Sequence, residues 1–188
     1  MSDPREGSRL GLVVGALVVA LTLLSGARDL GLGLDNWASY TPVTPGDPLP
    51  EFAVQLDDGS SLSSADLEGQ VSLLVFWATW CHACGLEMPT VVEIDQRYAE
   101  RGGEVRVYGV NRDSGAPAER RALVEPYAAS KGMDFAQIYD DGQLAQAFGV
   151  EQIPYMVLVD KRGAIRSLHL GQVSERKLRG EIDALLDE

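Results

Sequence analysis

Apolar and polar positions divide this chain into three regimes. Leu10 to Ala27 is apolar, interrupted only by small residues and by Thr22 and Ser25. Asp29 to Pro50 carries Gly31, Gly33, Pro42, Pro45, Gly46, Pro48 and Pro50, enough punctuation to stop any regular element, and reads as an extended linker. Periodic segments begin after it. Glu51 to Leu56 alternates Phe52, Val54 and Leu56, the period of a half-buried strand, and Asp57-Asp58-Gly59 turns it into a second extended piece around Ser61-Leu62. Ser64 to Gly69 predicts one helical turn ended by glycine. Val71 to Trp77 is a continuous apolar run broken only by Ser72, as in a strand covered on both faces.

A helix is predicted from Cys81 to Arg101, stopped by Gly102-Gly103 and kinked at Pro89, where one hydrogen bond is lost. Glu104 to Asn111 is the next strand, and a helix runs from Pro117, a residue suited to the first helical position, to Lys131. Phe135 to Tyr139 is short and extended, and Gly142 to Phe148 is a short helix stopped by Gly149. Tyr155 to Val159 and Ala164 to Leu170 form a hairpin about Asp160–Gly163, and Ser174 caps a closing helix to Leu186. Strands alternate with helices up to residue 150, and a hairpin and helix follow. That order predicts an α/β domain with a mixed central sheet and helices on both faces.

At about 1.5 Å per residue, Leu10–Ala27 approaches the ~30 Å hydrocarbon thickness and can just span a bilayer. Arg5 and Arg9 before it favour an N-terminus left in the cytoplasm, with Arg28 weakening that bias slightly. Ser25-Gly26-Ala27 offers the small residues of a cleavage site, so a removed signal peptide is the competing reading. A buried core helix is the third, although the run offers no polar face. The first two readings export the rest of the chain. The expected organisation is anchor or signal at 1–28, linker at 29–48 and one folded domain at 49–188.

Net charge is −12 over 188 residues. Residues 1–27 balance Arg5 and Arg9 against Asp3 and Glu6, so the excess sits on the rest, which phosphate backbones would repel; nucleic acid is not an expected partner. The two cysteines are Cys81 and Cys84. A bridge between them closes almost no loop and gains little as a staple, which marks them as a reactive couple. Three apart, they share the first turn of a helix. Positive partial charge and unpaired N–H groups there ease ionisation of a thiol, and the thiolate is the attacking species in disulfide exchange.

Phe76-Trp-Ala-Thr-Trp-Cys-His-Ala-Cys84, with Glu87, Pro89 and the distant Gly149-Val-Glu-Gln-Ile-Pro-Tyr155, resembles the thioredoxin fold. More closely it resembles the TlpA/ResA/CcmG group of membrane-anchored extracytoplasmic thiol–disulfide oxidoreductases. The resemblance covers about residues 49–187. It implies an added N-terminal hairpin, Glu51–Leu62, and a central strand–helix insertion at roughly Gly115–Lys131. It also implies a cis Ile153–Pro154 peptide beside Cys81, where a client chain could pair as an added strand.

Carried over residue by residue, Cys81 is the nucleophile, Cys84 the buried resolving thiol, and Glu87 an acidic group that tunes the thiols and handles protons. His82 would favour the Cys81 thiolate. Trp77 and Trp80 pack around the site, and Trp80, His82 and Ile153 are placed to meet a client. No cofactor beyond the Cys81–Cys84 disulfide is implied. The implied partners are exported clients, apocytochrome c among them, and a membrane thiol-redox donor. The implied location is the inner membrane, single-pass, with the domain on the periplasmic side. Ala83 stands where the group has proline, restoring an N–H near the sulfur, and Val75 stands where many thioredoxins carry a buried aspartate.

Four alternatives remain at this level, one of them a peroxidase, which the Cys-x-x-Cys disfavours because a lone peroxidatic thiol would be expected. A general disulfide oxidant or isomerase would share the same cysteines. A redox-inert binding domain would leave them idle. Zinc would need four ligands, for which the chain offers only Cys81, Cys84, His82 and the distant His169.

Overall fold

The computed structural model describes residues 42–188 and, before them, residue 20. The apolar run from Leu10 to Ala27 therefore lies outside the described residues, and among those described no helix is long and apolar enough to cross a membrane.

The core is organised around β3 (Val71–Trp77), all seven residues of which are buried. Parallel β4 (Val105–Asn111) pairs with one edge, Trp77 against Asn111, and antiparallel β6 (Tyr155–Val159) pairs with the other. Outside these lie β5 (Ala136–Tyr139), parallel to β4, and β7 (Ile165–Leu170), antiparallel to β6, giving the order β5-β4-β3-β6-β7. Alternation then sends Leu73, Val75 and Trp77 to one face and Leu74 and Phe76 to the other.

The first face is covered by α1 (His82–Ala99), which contributes Met88, Val91, Ile94 and Tyr98, by α4 (Glu175–Leu186), which contributes Leu178, Ile182 and Leu185, and by Val124 and Ala128 of α2 (Pro117–Lys131). Helical spacing gathers each set into one stripe. The second face is closed by the five-residue α3 (Gln143–Ala147) with Phe148, and by the antiparallel hairpin of β1 (Ala53–Gln55) and β2 (Ser61–Ser63) with its 3-10 turn Ser64–Leu67. Phe148 lies 5.8 Å from the Phe76 ring and 6.3 Å from that of Phe52.

Three details differ from the sequence reading. The central insertion runs helix then strand, α2 then β5, and extends to Tyr139 rather than ending at Lys131. Parallel pairing of β5 with β4 requires a crossover between them, so the helix must come first. Within the expected linker, residues 46–49 pair along the outer edge of the sheet: Gly46 N–H donates to Ile165 O at 2.7 Å, Ile165 N–H to Asp47 O at 2.9 Å and Leu49 N–H to Gly163 O at 3.0 Å. Pro48 is tolerated there because an edge position needs no donor on its solvent side. Ser174 stands at the α4 N-cap, but its side chain makes no capping bond.

Gly109 of β4 packs too closely against Gln137 to admit a side chain. A methyl group there would lie 2.8 Å from Gln137 Cδ and closer still to Oε1. Gln137 cannot swing away, because Oε1 accepts the Trp77 indole N–H at 3.1 Å and Nε2 donates to Phe135 O at 3.0 Å. We expect Gly109→Ala to destabilise the domain by about 1–3 kcal/mol, read as a lower denaturation midpoint; an unchanged midpoint would contradict this packing.

Candidate active site

Backbone geometry at the end of β3 creates the site. The chain leaves Trp77, turns through Ala78–Cys81 and enters α1 with Cys81 as N-cap. Cys81 Sγ accepts the Cys84 N–H at 3.1 Å, as a capping oxygen would, and is disulfide-bonded to Cys84. The two sulfurs are unequal. Cys81 retains 8% of its surface and Cys84 none, so an incoming thiolate can reach only Cys81. The N–H that meets the sulfur is that of Cys84, not of Ala83 as the sequence suggests, so this donor does not depend on what occupies position 83.

Facing the disulfide is the loop between α3 and β6. Gly149, left-handed at φ 64°, ends the helical segment, and the Ile153–Pro154 peptide is cis, as the resemblance implies. Ile153 O lies 3.8 Å from Cys81 Sγ. In the disulfide the sulfur has no proton to donate, so this is a close approach and not a hydrogen bond. It places a backbone carbonyl beside the exposed sulfur of the pair.

Glu87 points inward from α1 and is 2% exposed. Its two carboxylate oxygens accept the Val173 N–H at 3.2 and 3.3 Å. Burial pushes its pKa above the usual carboxylate range, and the Val173 N–H opposes this only in part. Cys84, Met88, Val173 and Val75 belong to one buried apolar cluster, so the position where many thioredoxins carry a buried aspartate is apolar here.

Two expectations about aromatic and basic neighbours separate here. Trp77 is fully buried, stacked on Tyr127 at 5.3 Å between ring centroids. Trp80, expected to pack around the site, is 69% exposed instead, because the turn into α1 points it away from the core. His82 is exposed at the first position of α1.

Several residues that shape the site carry no sequence signal. Tyr127 of α2 brings its hydroxyl against Gly85, where a Cβ would lie 3.1 Å away. Thr79 is tied to Asp113, 34 residues downstream, and no spacing rule links such partners. Among the described residues no group of three or more His, Cys, Asp or Glu is placed to hold a metal ion.

A thioredoxin fold whose first helix begins at a half-reachable Cys-x-x-Cys disulfide, opposite a cis-proline loop, defines the class: a thiol–disulfide oxidoreductase. The chain belongs to the Redoxin family, whose model matches residues 44–186. It is 30% identical over 164 residues to the thiol-disulfide oxidoreductase ResA of Bacillus thuringiensis (strain Al Hakam), covering 87% of this chain and 91% of that protein. Among solved structures, a thioredoxin-family thiol:disulfide interchange protein from Chlorobium tepidum TLS superposes with a TM-score of 0.64 at 25% identity, covering 78% of this chain and 99% of that one. A secreted thiol-disulfide isomerase from Corynebacterium glutamicum superposes at 0.65 with 26% identity, covering 74% and 86%.

Glu87 has a consequence for stability. Its folded-state pKa is raised, so the folded protein binds a proton that the unfolded chain has already lost between the ordinary carboxylate range and the raised value. Stability therefore falls as pH rises through that window. Glu87→Gln keeps an acceptor for Val173 without the charge. It should raise the denaturation midpoint at about pH 7 and leave it nearly unchanged at about pH 4, where both side chains are neutral. A lower midpoint at about pH 7 would reverse this assignment of cause.

Proposed function

We propose that this protein is a membrane-tethered reductant of exported proteins, exchanging dithiol for disulfide through Cys81 and Cys84. The observation that carries the reading is the asymmetry of the pair: a reachable sulfur on the Cys84 N–H at the start of α1, a fully buried partner one turn in, and a backbone acceptor 3.8 Å away. In the reduced protein the Cys81 thiolate attacks a client disulfide. A mixed disulfide forms and one client sulfur leaves as thiolate. Cys84 then gives up its proton and attacks Cys81 Sγ, releasing the client as a dithiol and closing the Cys81–Cys84 bond.

Glu87 is the proton acceptor for Cys84 in this reading. A buried carboxyl with a raised pKa is well matched to a thiol that must ionise away from water. Ile153, beside the cis Pro154, lends its backbone to a client strand, and exposed Trp80 and His82 border the approach to Cys81.

The extracytoplasmic location rests on Leu10–Ala27 and on the resemblance to anchored relatives, and it fits the secreted status of the Corynebacterium neighbour. Disulfides persist in such compartments, so a dedicated reductant serves clients whose thiols must stay free, apocytochrome c being the proposed example. A membrane thiol-redox protein would return the electrons. The general oxidant or isomerase is distinguished by its reduction potential: a value near the most oxidising couple known, about −120 mV, would favour it.

The direct test is capture. Cys84→Ser should accumulate mixed disulfides with exported proteins through Cys81, whereas Cys81→Ser should capture nothing and reduce insulin no faster than buffer. A Cys84→Ser protein that traps no client in the cell removes the proposal.

A further inference from the structure

Consecutive residues at the end of β4 hold both halves of the site. Asp113 is 4% exposed. Its Oδ2 accepts the Thr79 N–H at 2.9 Å and the Asn111 amide at 2.7 Å, while its Oδ1 accepts the Thr79 hydroxyl at 2.7 Å. Asn111 Oδ1 in return accepts the Asp113 N–H at 3.1 Å. Thr79 lies in the turn whose last residue is the α1 N-cap, so this network fixes the approach to Cys81. The preceding residue, Arg112, donates its backbone N–H to Trp77 O at 2.8 Å and, through Nη1, donates to Val150 O at 2.9 Å. Val150 opens the loop that carries Ile153 and Pro154.

We propose that Asp113, acting through Thr79, is a positioning residue for the exchange reaction, with Arg112 securing the facing loop. In the disulfide form the covalent bond itself keeps Cys81 Sγ beside the Cys84 N–H. Reduction removes that bond, and the sulfur then stays on the N–H only if the Ala78–Cys81 turn is held from outside. The two Thr79 bonds hold it. A turn released from Asp113 lets the thiolate swing off its donor. The thiolate form is then disfavoured, and the reduced state loses stability relative to the disulfide.

The inference rests on the reading of Cys81 as the exchanging sulfur, and the test separates the two. It uses the reduced full-length chain, iodoacetamide as probe, and equilibration with glutathione, none of which needs a client. Thr79→Val removes one bond and Asp113→Glu displaces both, and neither alters charge near the sulfur. In either variant the alkylation rate of Cys81 at about pH 7 should fall about threefold to tenfold, the scale of a weakened hydrogen bond to a charged group. Its pH midpoint should move up, and the glutathione equilibrium should shift toward the disulfide by a similar factor. Thr79→Ser, which keeps both bonds, should behave as the wild type. Should one of the two disruptive variants not fold, the other gives the same comparison.

Two results overturn the proposal: an unchanged midpoint and glutathione equilibrium in the disruptive variants, even with a lowered denaturation midpoint, or a Thr79→Ser protein as altered as Thr79→Val. Failure of the underlying reading looks different, because wild-type Cys81 would then ionise like an ordinary free thiol.

Discussion

The hydrogen bond from the Cys84 N–H to Cys81 Sγ is the contact on which the rest of the molecule converges. A helix start leaves its first N–H groups without partners, and here a sulfur takes the place of the usual capping oxygen. Such a bond is worth more to a thiolate than to a thiol, so it biases the residue toward its reactive form. It has value only if the helix start cannot drift. That is secured by β3, buried on both faces and paired on both edges, directly before the turn. A strand buried on both faces and paired on both edges therefore leads directly into the turn that carries Cys81.

Reactivity is matched by asymmetric burial. Cys81 can be reached and Cys84 cannot, so a mixed disulfide can form at one sulfur and be resolved only from inside. The interior pays for this with Glu87, a carboxyl kept 2% exposed on a single backbone N–H donor. An apolar residue there would pack without that electrostatic cost.

Accessory segments guard the flanks of the sheet. Asp57 ties the β1–β2 turn to β5 through two bonds with the Gln137 backbone, at 2.9 and 3.0 Å, and residues 46–49 cover the outer edge of the β6–β7 hairpin at its Asp160–Gly163 end. Open edges invite unplanned strand pairing. The Ile153 loop, by contrast, lies beside the disulfide, with Ile153 O 3.8 Å from Cys81 Sγ.

The sequence by itself determined the element order and the Cys-x-x-Cys at a helix start, because both are written in local periodicity and in residues a few positions apart; the cis proline facing the cysteines was implied only by the family resemblance. Only the tertiary structure decided that Glu87 is buried against Val173, that Trp77 is enclosed while Trp80 is not, that a proline-rich stretch pairs with an edge strand, and that Thr79 hangs from Asp113. Those outcomes depend on partners tens of residues away, brought together by sheet order and crossover, and local pattern carries no record of them. Asp113 and Thr79 are both ordinary loop residues until β3 and β4 lie side by side, with Trp77 opposite Asn111.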